Sequence, residues 1–138
     1  MSRLILVLSL GLASSSAEDI VGRWWNPERT GQIEIYEKEG RFFGRIISRE
    51  QVVKDVHNPD PALRNRSVVG LVFLKDFAKT GDNEWSGGTV YSFNNGRTYR
   101  GKLWLEDGAL MMRGFLGVSL FGKTVRMGPV DDEASMAP

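Results

Sequence analysis

The chain has no cysteine. That absence excludes disulfides, thiolate metal centres and thiol nucleophiles together, so stability has to come from packing. Histidine is nearly absent as well: His57 stands alone, and any Ser/His/Asp arrangement would have to use it. Ser48 and Ser67 sit in no nucleophile-elbow pattern. Asp55, His57 and Asp60 offer an oxygen, a nitrogen and an oxygen, but their spacing matches no established metal signature. No catalytic residue, metal or cofactor is expected.

Surplus charge is missing too. Lys and Arg number 18 against 17 Asp and Glu, which removes the bulk attraction to nucleic acid that a basic chain would have. The apolar run Leu4 to Leu12 is too short to anchor stably in a bilayer. With Arg3 before it and the small residues Ser15 and Ala17 after it, the run reads as a signal peptide over 1–17, cleaved after Ala17. An exported protein is expected, periplasmic or alternatively extracellular, with no transmembrane span once mature. No cysteine precedes the cleavage site, which argues against a lipid anchor.

What the rest of the chain does contain is period-two patterning. In "TYRGKLWL" the residues Tyr99, Gly101, Leu103 and Leu105 fall on one face and Thr98, Arg100 and Lys102 on the other, with Trp104 alone breaking the polar side. "QIEIYEKEG" sets Ile33 and Ile35 against Gln32 and Glu34; "RFFGRIIS", "VVGLVFL", "EWSGGTVYSF", "ALMMRGFL" and "LFGKTVRM" have strand length. The chain turns at Glu39 and Gly40, and Asn95–Gly96 and Asp107–Gly108 are dipeptides that accept positive φ in tight hairpins. Roughly eight strands joined by hairpins make an all-β, single antiparallel up-and-down barrel over residues 18–130. Glycines inside the strand patterns, Gly44, Gly88, Gly101 and Gly114 among them, suit the bends and close approaches of a small barrel. Residues 131–138, "DDEASMAP", read as a disordered acidic tail.

One segment interrupts the rhythm. "VHNPDPALRNRSVVG", Val56 to Gly70, holds the histidine, two prolines and two arginines in a connection of roughly twenty residues, a length that usually serves a function. Asp60 is a good N-cap and Pro61 suits the first helical position, so Asp60 to Asn65 is expected to form a short helical turn with Leu63 docking inward.

Four stretches together, "GRWW", "NPDPALRNRSVVGL", "WSGGTVYSFNNGRTYRGKLWL" and "LFGKTVRM", resemble the bacterial exported family known as domain of unknown function 2147. The resemblance implies a lipocalin-like, calycin-type barrel with a central cavity and leaves the activity open. It also implies a structural plug: Gly22 and Trp24 match the Gly-x-Trp pattern of the first lipocalin strand, where Arg126, or less favourably Lys123, would stack over the tryptophan.

A small hydrophobic or anionic amphiphilic ligand in the barrel is the favoured reading. Ile33, Ile35, Tyr99, Leu103, Leu110 and Met112 are the expected inward wall, with Gly101 and Gly114 leaving room. The long loop would be a lid, Arg64 its anchor to a barrel carboxylate and Arg66 the partner of an anionic head group. Two alternatives stand beside it. One is an envelope interaction module with a filled barrel and Trp25, Trp104 and Phe93 as contacts. The other is a small enzyme using a carboxylate such as Glu34 or Asp60.

Overall fold

The computed structural model describes residues 20–115 and 123–131. The leader over 1–17, and the acidic tail apart from Asp131, lie outside the described residues. Eight strands follow in chain order: β1 Gly22–Trp25, β2 Gly31–Lys38, β3 Arg41–Arg49, β4 Val72–Gly81, β5 Glu84–Ser92, β6 Arg97–Glu106, β7 Ala109–Phe115 and β8 Lys123–Pro129. Each pairs antiparallel with the next, and β8 returns to β1 through Trp24–Pro129 and Trp25–Gly128, so the sheet closes into an up-and-down barrel. No helix among the described residues is long and apolar enough to cross a membrane.

The alternation that marked the strands is the alternation that is buried. On β2, Gly31, Ile33 and Ile35 turn inward, while Glu34 turns outward and holds Arg45 of β3 at 2.7 Å. Tight turns at one end use the anticipated dipeptides: Glu39 and Gly40, and Asp107 and Gly108, all have positive φ, which matches the twist of the paired strands. At Asn95–Gly96 the expected two-residue turn is instead a four-residue connection, Phe93 to Gly96, in which only Gly96 has positive φ. Asn95 uses its side chain there, accepting from the Arg97 N–H at 2.9 Å and donating to the Tyr99 hydroxyl at 2.7 Å.

β4 starts later and runs further than its pattern indicated. Asp76, at φ 64°, inserts an extra residue where β3 and β4 change register between the pairs Phe42–Phe77 and Gly44–Leu74. The bulge breaks the period and turns Phe77 into the barrel. Its ring lies where a Cβ on Gly88 or Gly101 would sit, so those two glycines exist to admit it. Around Phe77 the end of the tight turns is filled by Ile35, Leu74, Leu103 and Leu110, with Phe42 edge-on to Trp85 at 6.1 Å between centroids. Gly101 therefore leaves no room for a ligand; an aromatic ring from β4 occupies it.

Trp24 is buried as expected, and its indole N–H donates to the Ile20 carbonyl at 2.9 Å, tying the chain ahead of β1 to the barrel. No cation stacks on it among the described residues. Arg126 alternates with inward Met127 and so faces outward, where its Nη1 meets Met111 Sδ at 3.8 Å. Lys123 lies at the opposite end of β8, on the rim of the open mouth.

Candidate functional site

Above the floor made by Phe77 and its neighbours the barrel is open, with a cavity of about 530 Å³. Ile33, Ile46, Phe73, Val90, Met112 and Val125 make its walls, and they come from six different strands. The rim is polar: Asn26 and Glu28 from the β1–β2 connection, Asn94 and Asn95 from the β5–β6 connection, and Arg49 and Lys123 from strand ends. The β1–β2 part is fixed by its own chemistry. Asn26 Oδ1 accepts from the Thr30 N–H at 2.8 Å, Arg29 takes positive φ, and the Arg29 guanidinium lies 4.8 Å from the Trp25 ring centroid.

Of the six expected wall residues, Ile33, Tyr99 and Met112 line the cavity. Ile35, Leu103 and Leu110 point inward too, but two or more positions closer to the tight turns, and they belong to the filled floor. Gly114 lines the cavity as expected.

The long loop is a clasp on the rim, and neither of its arginines lines the cavity. Arg64 does not anchor the loop to a barrel carboxylate; its Nε donates to the Asn58 carbonyl of the same loop at 2.7 Å. Arg66 is exposed, and its backbone carbonyl accepts from the Asp55 N–H at 2.9 Å. Asp60 caps the 3-10 turn Pro61–Leu63, accepting from the Ala62 N–H at 3.0 Å, as the sequence indicated. Leu63 is not what docks: Val68, fully buried, enters the core instead, its N–H donating to the Val53 carbonyl at 2.9 Å.

What fastens the clasp is Asp55, the one buried charged side chain among the described residues. Its Oδ1 accepts from the Tyr91 hydroxyl at 2.7 Å and its Oδ2 from Asn58 Nδ2 at 2.8 Å. Asp55 and Asp60 are thus both committed to loop geometry, which accounts for two of the three donors that a metal reading would have used. The His57 carbonyl packs against Gly96 so closely that a Cβ there would collide with it, which locks the loop onto the β5–β6 turn.

Tyr91 lines the mouth, and its phenol is pushed up to about 12 by desolvation first, then by the hydrogen bond to Asp55 and the carboxylate charge. A raised pKa means the folded state prefers the neutral phenol. This contribution is fully present below the ordinary value of 10.0 and is lost as the pH rises through about 12. We expect the protection of amides in residues 53–68, taken relative to their intrinsic exchange rates at each pH, to fall across that window in the wild type. Tyr91→Phe should remove the pH-dependent part, and an unchanged profile in the variant would contradict the assignment.

Arg49 was not legible as a cavity residue. Strict alternation from inward Ile46 would turn Ser48 in and Arg49 out. The register between β2 and β3 shifts at Gln32/Ile33, so that Ile33 faces Ile46 while Gly31 faces Arg49. Arg49 takes the inward side opposite a glycine whose missing side chain makes room, a Cβ there lying 3.0 Å from Arg49 Cδ. Phe93, read from sequence as an outer contact, lines the cavity with the Arg49 guanidinium carbon 5.7 Å from its ring centroid.

The family described as "Uncharacterized protein conserved in bacteria (DUF2147)" matches residues 22–127. Among solved structures the chain is similar to protein HP1028 from the human pathogen Helicobacter pylori, described as belonging to the lipocalin family. The two share 31% sequence identity with a TM-score of 0.74 over 83% of this chain and 85% of that one. Curated proteins give no match.

Proposed function

The chain belongs to the DUF2147 family and has a lipocalin-like barrel, and from that premise we propose that it holds one small, largely apolar molecule in the open half of the barrel. The observation that carries this reading is the division of the interior: Phe77 and Trp85 fill one half, while about 530 Å³ above them is walled by apolar side chains and left unfilled. That volume lies within the ~300–1,000 Å³ of small-molecule sites. A filled barrel would instead have favoured the interaction module. Its proposed contacts are otherwise engaged, since Trp104 donates to Glu106 at 3.1 Å and Phe93 faces the cavity.

Binding rather than catalysis is the reading that the two carboxylates singled out from the sequence support. Glu34 is paired with Arg45 on the outer surface, and Asp60 caps a turn. Neither faces the cavity. The leader sequence around Leu4 to Leu12 supports export to the periplasm, with release to the medium as the alternative.

Met112→Trp tests the cavity itself. Where space exists, the larger ring enters it, and stability should change by less than about 1 kcal/mol, against the ~1–3 kcal/mol that overpacking a filled core costs. The same variant should lose binding of an apolar fluorescent probe that the wild type takes up. A strongly destabilised variant, or a wild type that binds no such probe, would contradict the reading.

A further inference from the structure

Arg49 presents an anomaly inside the cavity. Its Nε is buried and has no hydrogen-bond partner, and no carboxylate among the described residues lies within ion-pair reach of it. A buried N–H of a charged group without an acceptor is costly, and folded proteins rarely leave one so. Trp85 also has an unpaired buried N–H, but that indole belongs to the filled floor and the residue does not line the cavity. Arg49 differs because its side chain lines the cavity.

Resting on the cavity reading above, we propose that Arg49 is the seat of the ligand's head group and that this head is a carboxylate. The guanidinium is a planar fork of N–H donors, and its terminal nitrogens can donate to two carboxylate oxygens in parallel. The placement is built, not incidental: the β2–β3 register shift turns Arg49 inward, Gly31 opposite it makes room, and Phe93 flanks the guanidinium. The other charges at the mouth are Glu28 and Lys123, both exposed. An exposed Lys123 adds attraction for an anion in water, whereas Arg49 supplies the directed contact. The ligand is then an amphiphile: an apolar body against Ile33, Ile46, Val90 and Met112, and its carboxylate at Arg49 near the rim. The cavity has roughly the liquid volume of eighteen waters at ~30 Å³ each, room for a dodecyl chain.

The test titrates dodecanoate and dodecanol, which share the chain and differ in the head, into the wild type, Arg49→Gln and Arg49→Lys. Dodecanoate should bind the wild type roughly ten- to a hundredfold more tightly than dodecanol, the scale of a charge-assisted hydrogen bond. Arg49→Gln should erase that preference by weakening dodecanoate far more than dodecanol. Arg49→Lys, which keeps the charge without the paired donor edge, should recover only part of it. Equal binding of both probes to the wild type would overturn the carboxylate seat while leaving the cavity reading intact; binding of neither would overturn both. The comparison within the wild type decides the matter even if Arg49→Gln fails to fold.

Discussion

Replacing Phe77 with alanine should lower stability by about 3–5 kcal/mol, the cost of removing a fully buried aromatic ring whose surroundings cannot close over the void. The surroundings here are unusually unable to close. Phe77 lies over Gly88 and Gly101, which carry no side chain to move into the gap, and their backbones are fixed by the β5–β6 pairing. Denaturant unfolding of the variant measures the loss. A change below about 1 kcal/mol would mean that the ring does not form the floor, because surface-like losses of that size do not arise at a filled position. The converse substitution, Gly101→Val, should be similarly damaging, because its Cβ would lie 2.7 Å from Phe77 Cζ and 2.6 Å from Val90 Cγ2.

Asp55→Ala should be the next most damaging change, at about 2–3 kcal/mol, because it strips a buried acceptor from two donors at once. The Tyr91 hydroxyl and Asn58 Nδ2 both lose their partner, and the loop loses one of its ties to the barrel wall. The effect should concentrate in the clasp, so that the Val68 amide, protected by the Val53 carbonyl, exchanges faster even where the barrel amides are unaffected. Asp55→Asn keeps an acceptor for Tyr91 and should lose less. Stability within about 0.5 kcal/mol of wild type for Asp55→Ala would place the loop among ordinary surface segments.

These two positions also mark how far the sequence could be read. Strand order, closure and most turns were legible because one face of each strand has to be apolar and tight hairpins demand residues that tolerate positive φ, as at Asp107–Gly108. The cap at Asp60 was legible for the same local reason. Phe77 and Arg49 were not, because each follows a register shift, and an extra residue reverses which side of a strand faces inward without leaving a signal in composition. The division between floor and cavity was hidden as well. Ile33 and Ile35 have the same inward pattern and differ only in height along the barrel, which depends on where Phe77 arrives from another strand. Asp55 was visible as a carboxylate near His57, but its burial depends on Tyr91, 36 residues away in the chain.

A molecule held in the open half of the barrel, as proposed, should travel with the purified protein. Native mass spectrometry of the protein recovered from its own host tests it most directly. One small organic adduct per chain is expected, released on collisional activation and absent from Met112→Trp prepared in the same way. A bare protein mass for the wild type, indistinguishable from that of the variant, would contradict it.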